Sequence, residues 1–136
     1  MENGLVFKQY PCCSGTHPAL DVWGEWADKV HPKLDDIEAV HLGVSLLGPR
    51  ELISHCPRNA VEAKFSMEFA LASRLVYQRT GIEEFTDDKV LDVRIQALMK
   101  KMTMEIDSQV GVHRHSARSN SHKNQIRRRM PSQRSR

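Results

Sequence analysis

The sequence has few aromatic residues, few cysteines and no long apolar run. Two Trp, two Tyr and four Phe make up 6% of the 136 residues, so the chain offers no stacking platform for bases. No apolar run approaches the roughly 18 residues that a membrane-spanning helix requires, and the first residues do not resemble a secretion signal. Three cysteines are an odd number, which favours a reduced protein over a disulfide framework. We therefore expect a cytoplasmic protein outside the membrane.

What the sequence does have is two regions of different composition. Eight of the 20 basic residues and none of the 17 acidic residues lie in residues 112–136. Residues 1–111 therefore hold 12 bases against 17 acids, a formal charge of −5, whereas the last segment carries +8. That segment has almost no apolar side chain to bury, so nothing offsets its ordering entropy. We predict one domain over residues 1–111 and a disordered basic tail over residues 112–136.

The first half of the domain predicts a strand, a helix and a second strand. Residues 5–7 form a short apolar run that ends before Pro11, which is typical of a strand leading into a loop. A helix is predicted from Thr16 or His17. Residues 40–46 then alternate between apolar and polar side chains, like a strand with one buried face. The apolar residues of the helix recur at spacings of three and four: Leu20, Trp23, Ala27 and Val30.

A longer helix is predicted next. Asn59 and Glu62 have the spacing of a capping box, in which each side chain satisfies a backbone donor of the other residue. The helix is predicted to start at about Ala60 and to end at Gly81, which supplies a left-handed stop. Apolar residues cover a wide face of this helix, and we interpret three of them as core residues: Phe65, Phe69 and Leu71.

The remaining part of the domain predicts one more helix and a short strand. Thr86 is followed by two acids, which is typical of a helix start. Residues 102–106 are interpreted as the final strand. The order of these elements predicts an α+β fold, with a small sheet and helices packed on one of its faces. Apolar residues mark the inner face of the last helix, with Ile95 beside them: Val90, Leu91, Leu98 and Met102.

Three blocks of residues occur in an order that resembles a known family. The first is Lys8-Gln-Tyr-Pro11 with His17 one short loop later, the second is Glu62-Ala-Lys-Phe-Ser66, and the third is Phe85-Thr-Asp87. In this order and spacing, residues 5–107 resemble the C-terminal domain of the MmgE/PrpD family of lyases, which includes 2-methylcitrate dehydratase and cis-aconitate decarboxylase. Any one block alone is a weak signal, whereas three in order are specific.

The resemblance implies chemistry on a citrate-like tricarboxylate. Enzymes of this family dehydrate 2-methylcitrate or decarboxylate cis-aconitate without a metal or organic cofactor. They carry a large helical domain before the first block, and many are homodimers. We therefore expect this chain to be a fragment that is inactive unless a separate helical domain is supplied, with a tail that resembles nothing in the family. The sequence does not decide which acid or reaction applies, or whether the chain is itself an enzyme.

Five residues are candidates for contact with a tricarboxylate. The resemblance places Lys8 in the substrate cleft, where its ammonium would bind a carboxylate and transfer a proton; the alternative is a solvated lysine at a strand end. Thr16 and His17 lie at a helix N-terminus, which favours anions, although either could simply cap the helix. Lys64 and Ser66 begin the next helix, and Lys64 could equally be a surface lysine.

A metal site at the adjacent cysteines is one alternative. Neighbouring residues rarely bind one metal, so we predict that Cys12 and Cys13 are buried small hydrophobes and that they form no metal site. The run of arginines at residues 127–129 could bind nucleic acid non-specifically. The acidic domain disfavours that function, so nucleic acid is not an expected partner. Membranes are not expected either, because no apolar run is long enough to span one. A third hypothesis is a truncated protein with no function.

Overall fold

A computed structural model describes residues 8–107, which form six helices and two strands. The strand predicted over residues 5–7 and the tail predicted over residues 112–136 lie outside the described residues. Within residues 8–107, no helix is long and apolar enough to cross a membrane. In chain order the elements are α1 (His17–Val30), β1 (Val40–Val44), α2 (Gly48–Glu51), α3 (Ala60–Ala63), α4 (Met67–Val76), α5 (Asp87–Val90), α6 (Val93–Met99) and β2 (Met102–Ile106), with 3₁₀ turns at Ser14–Thr16, Leu34–Asp36 and Ile82–Glu84.

The two strands form a parallel sheet. Val40 of β1 pairs with Met102 of β2, and the register runs to the pair Val44 and Ile106. Parallel strands need a crossover connection, and helices α2 to α6 lie within it. The alternation predicted for β1 is confirmed, but the strand ends at Val44, and Leu46 is 63% exposed. The predicted strand over residues 102–106 and the α+β fold are both confirmed.

Helix α4 lies at the centre of the core. Helices α1 and α6 both pack against it, and its residues from Met67 to Ser73 are all buried. Trp23 of α1 is 1% exposed, and its indole Nε1 donates a hydrogen bond to the Leu71 carbonyl at 3.0 Å. The Phe69 ring meets the Phe85 ring edge-on at 5.1 Å. Apolar side chains from distant parts of the chain therefore converge on α4.

Helix α1 agrees with its prediction except at its ends. Thr16 is the N-cap residue, but its side chain makes no capping hydrogen bond. At the other end, His31 adopts a left-handed conformation with φ 46°, and its N–H donates to the Ala27 carbonyl at 2.9 Å. Val30, which was predicted to be buried, is 42% exposed because it lies in the last turn before this reversal.

The long helix predicted from Ala60 to Gly81 is interrupted, so that prediction is wrong. Ser66 has an extended backbone, and its hydroxyl accepts a hydrogen bond from the Phe69 N–H at 3.1 Å. This cap ends the first helix and starts another. Phe65 falls in the break and is 43% exposed, so our assignment of Phe65 to the core is also wrong.

Half of the predicted capping box is present at the start of α3. The Asn59 side chain accepts a hydrogen bond from the Glu62 N–H at 2.9 Å, as predicted. The Glu62 carboxylate, however, accepts from the N–H of Arg58 at 2.8 Å and not from that of Asn59. The backbone N–H from which the Glu62 carboxylate accepts therefore belongs to the residue before the one that the motif predicts.

The remaining helix ends also differ from their predictions. Gln78 takes the left-handed conformation after α4, with φ 60°, whereas Gly81 has φ −102° and is not the predicted left-handed stop. The Thr86 side chain makes no capping hydrogen bond to α5. The final predicted helix is likewise two helices, because Asp92 caps α6 separately, and Leu91 between them is 47% exposed.

Candidate functional site

Three segments of the chain meet at the break between α3 and α4. The Cys13 N–H donates to the Lys64 carbonyl at 2.8 Å, and the Ser54 N–H donates to the Phe65 carbonyl at 3.2 Å. A side chain at Gly15 would lie 2.9 Å from a Glu51 carboxylate oxygen, so the first two segments also approach each other closely. We call residues 8–17, 51–55 and 63–68 together the α3–α4 seam. All five predicted site residues lie in it.

Lys8 is exposed at the start of the seam. Its ammonium Nζ donates to the Cys12 carbonyl at 3.4 Å, which is a long hydrogen bond. An ammonium has three donors, so two remain for a ligand. The bond holds the charge beside the loop that contacts Lys64.

The Thr16 hydroxyl is used within the loop. Thr16 is fully buried, and its Oγ1 donates to the Cys13 carbonyl at 2.7 Å. The Cys12 sulfur lies 3.0 Å from the same oxygen. Burial raises the pKa of the Cys12 thiol, so the thiol stays protonated and can donate this bond. The described contacts give Thr16 a supporting role in the loop, and its contact with substrate stays a prediction.

His17 has a free ring nitrogen. The ring is partly buried and meets the Tyr10 ring edge-on, with centroids 5.1 Å apart. Its Nε2 is buried and has no hydrogen-bond partner among residues 8–107. Buried polar atoms are nearly always paired, so this nitrogen is an exception within the part of the chain that the structure describes.

Tyr10 is held in place beside His17. The phenol donates to the Asp21 carboxylate at 2.7 Å. Burial, together with this hydrogen bond, raises the pKa of Tyr10 to about 12. The phenol is therefore neutral at physiological pH and supports the His17 ring without adding charge to the seam.

Lys64 and Ser66 contribute to the seam in different ways. Lys64 is exposed at the end of α3, and its carbonyl receives the bond from Cys13. Ser66 is fully buried, where its hydroxyl caps α4 and lies 3.4 Å from a Glu68 carboxylate oxygen. Lys64 thus presents a cation to solvent, whereas the described contacts of Ser66 are structural. A substrate contact by either residue stays a prediction.

The sequence analysis missed one ionisable pair in the seam. The Glu68 side chain is 4% exposed, and its Oε1 lies 2.8 Å from Nδ1 of His55. The His55 side chain is 56% exposed. One signal was present in the sequence: Glu68 stands inside a run of apolar residues, where a carboxylate needs a partner. Nothing in the sequence, however, indicated that the partner is His55.

The described residues contain no group suited to a metal ion. Within residues 8–107, no three His, Cys, Asp or Glu side chains lie close enough together to hold one. Cys12 is buried, as predicted, while Cys13 is partly buried, and both are free thiols. The seam offers two lysine cations, the imidazoles of His17 and His55, and the carboxylates of Glu51 and Glu68.

Comparison with known protein families identifies a domain that covers most of the chain. The model of the MmgE/PrpD C-terminal domain matches residues 10–131. This range begins two residues after Lys8, and it extends well into the segment from residue 112 that we had described as unlike the family. No curated protein matches the chain.

Proposed function

Because the chain belongs to the MmgE/PrpD family through its C-terminal domain, we propose that it forms one wall of a cleft for a citrate-like tricarboxylate. The reaction of that cleft would be dehydration of 2-methylcitrate or decarboxylation of cis-aconitate. The observation that supports the proposal is the α3–α4 seam, where hydrogen bonds hold the Lys8 loop against the exposed Lys64.

The roles of the residues follow from their chemistry. Lys8 and Lys64 supply exposed ammonium groups, which suit carboxylates. His17 supplies a ring nitrogen that has no partner among the described residues, at the N-terminus of α1, where free backbone donors favour anions. In both reactions a proton must be exchanged at the substrate, and we assign that exchange to Lys8. Neither reaction needs a cofactor in this proposal.

We further propose that turnover needs a helical domain to close the cleft. The two lysines are exposed on residues 8–107, and a reaction of this kind is favoured where water is excluded. Such a domain, or the partner subunit of a homodimer, would cover the two lysines. All three cysteines are free, which supports a cytoplasmic location for the assembly.

The first experiment is an NMR titration of the full chain with citrate and with cis-aconitate at fixed pH and salt. We expect saturable shifts at Lys8, His17 and Lys64, because these groups face the ligand. Lys8→Ala should abolish the shifts at His17 and Lys64, since it removes one of the two exposed ammonium groups.

Lys33→Ala is the matched control. Lys33 is also exposed but lies outside the seam, so this variant should bind as the wild type does. A folded spectrum without saturable shifts would overturn the proposal. If Lys8→Ala and Lys33→Ala weaken ligand binding equally, general charge attraction explains the binding and the proposal fails.

A further inference from the structure

The His55–Glu68 pair is the part of the seam that the proposed function does not use. Met67 and Phe69, on either side of Glu68, are 1% and 0% exposed, so an apolar residue would suit this position. Placing a carboxylate there costs free energy unless it is well paired. Its described partners are the His55 ring at 2.8 Å and the Ser66 hydroxyl at 3.4 Å. The fold thus keeps a buried acid whose shortest contact is an exposed imidazole.

The pair fixes which way the imidazole faces. Nδ1 of His55 is engaged by Glu68, and the two nitrogens of an imidazole are distinct sites. Nε2 is therefore left for a group outside the fold, on a side chain that is 56% exposed. In the neutral ring Nε2 would be an acceptor, whereas in the protonated ring both nitrogens donate. Only the protonated ring can donate to Glu68 and to a bound carboxylate together.

His55 lies next to the groups already assigned to substrate. The Ser54 N–H donates to the Phe65 carbonyl, and the Cys13 N–H donates to the neighbouring Lys64 carbonyl. The Lys8 ammonium contacts the Cys12 carbonyl in that same loop. His55 and Lys64 therefore lie within one residue of these backbone contacts, and the Lys8 ammonium bonds to the carbonyl of the residue before Cys13.

We propose that His55, positioned by Glu68, is the third cationic contact of the cleft and selects acids with three carboxylates over acids with two. This inference rests on the proposed function, because Lys8 and Lys64 are taken to bind the other two carboxylates. Glu68 is a positioning residue that acts through His55. It sets the direction of the ring and is shielded from the substrate by its burial.

The test compares two ligands that differ in one carboxylate. Tricarballylate has three carboxylates, and glutarate is the same chain without the central one. Affinities are measured by NMR titration of the full chain. His55→Gln should reduce the preference for tricarballylate roughly two- to fivefold, the range expected for one partly exposed charge contact, and should leave glutarate binding unchanged. His41→Gln removes another exposed histidine, on strand β1, and should change neither affinity.

The His55 ring resonances separate this role from a structural one. Tricarballylate should shift them in the wild type, whereas glutarate should leave them in place. Glu68→Gln should move the ring resonances of the free protein and lower the preference for tricarballylate, as His55→Gln does. Asn59→Ala, which removes the cap of α3, should change neither.

Each outcome is decisive. If the wild type binds citrate through Lys8 but His55→Gln keeps the full preference, the inference fails and the proposed function stands. If His55→Gln loses affinity equally for tricarballylate and glutarate, the proposed selectivity is overturned. The same conclusion follows if tricarballylate leaves the His55 ring resonances of the wild type in place. If no tricarboxylate binds the wild type, the proposed function fails and the inference fails with it.

Discussion

Helix α4 is held differently along its length and at its first turn. Along its length, α4 packs against α1 and α6. Its apolar residues, such as Phe69 and Leu71, lie in one buried core with Trp23 of α1. At its first turn, Ser66 and Glu68 are buried polar residues whose hydrogen bonds run to the helix start and to the His55 ring. Apolar packing fixes where the helix lies. The polar turn sets the break at which the loops of the candidate site attach.

The largest effect should come from removing the packing. Trp23→Ala leaves a cavity against α4 and loses the hydrogen bond to the Leu71 carbonyl, so we expect a loss of about 3–5 kcal/mol in the free energy of unfolding. Urea unfolding followed by circular dichroism measures it. Val30→Ala, in the same helix but at a position that is 42% exposed, should cost less than about 1 kcal/mol. Similar losses at the two positions would mean that α1 is not held by its buried face.

An intermediate effect is expected at the polar turn. Ser66→Ala removes the cap from the buried Phe69 N–H and should cost about 1–2 kcal/mol. Asn59→Ala removes the equivalent cap of α3, whose hydrogen bond is exposed, and should cost less, about 0.5–1 kcal/mol. Urea unfolding of both variants decides whether burial strengthens a cap. If Asn59→Ala costs as much as Ser66→Ala, the distinction between the two caps is wrong.

The smallest effect is expected at the break between α5 and α6, where the capping acid is more exposed. The Arg94 guanidinium bonded to Asp92 lowers the pKa of that carboxyl to about 2, below the roughly 3.9 of an unfolded chain. The ionised form therefore stabilises the fold above about pH 4, and this contribution is lost as the pH falls through 2. Asp92→Ala should cost about 1 kcal/mol at neutral pH.

The thermal midpoints of the wild type and Asp92→Ala should therefore converge between about pH 4 and pH 2. The exposed Asp35 in the turn Leu34–Asp36 provides the comparison, since no side-chain capping bond forms there. The difference between the wild type and Asp35→Ala should stay constant over the same range. A constant difference for Asp92→Ala would show that its carboxylate does not support α6.

Much of the fold could be predicted because its signals are local. Periodicity within one element predicts the apolar stripe of α1 and the alternating burial of β1. It also predicts the extent of β2. The break at residues 64–66 could not be predicted this way. Phe65 stands four residues before Phe69, so the helical period continues through the break, and only the capping bond of Ser66 shows that the helix restarts.

The residues of the candidate site were named from the sequence and their roles stay predictions, whereas their arrangement could not be predicted. Lys8, His17 and Lys64 were recognised from short blocks of sequence. The backbone bonds that hold their segments together join residues 13 and 64 and residues 54 and 65, and no local pattern encodes such pairs. The contact between His55 and Glu68 spans 13 residues without a shared element. It depends on how the loop before α3 folds back over the start of α4.

The parallel pairing of the two strands has a consequence for how the chain reaches its fold. Val40 and Met102, which pair at one end of the sheet, are 62 positions apart. Closing so long a loop costs chain entropy before any strand contact can repay it. We therefore expect the intervening helices to gather first and the sheet to form on the scaffold that they provide. In that order the strands complete the structure, and the helices around α4 nucleate it.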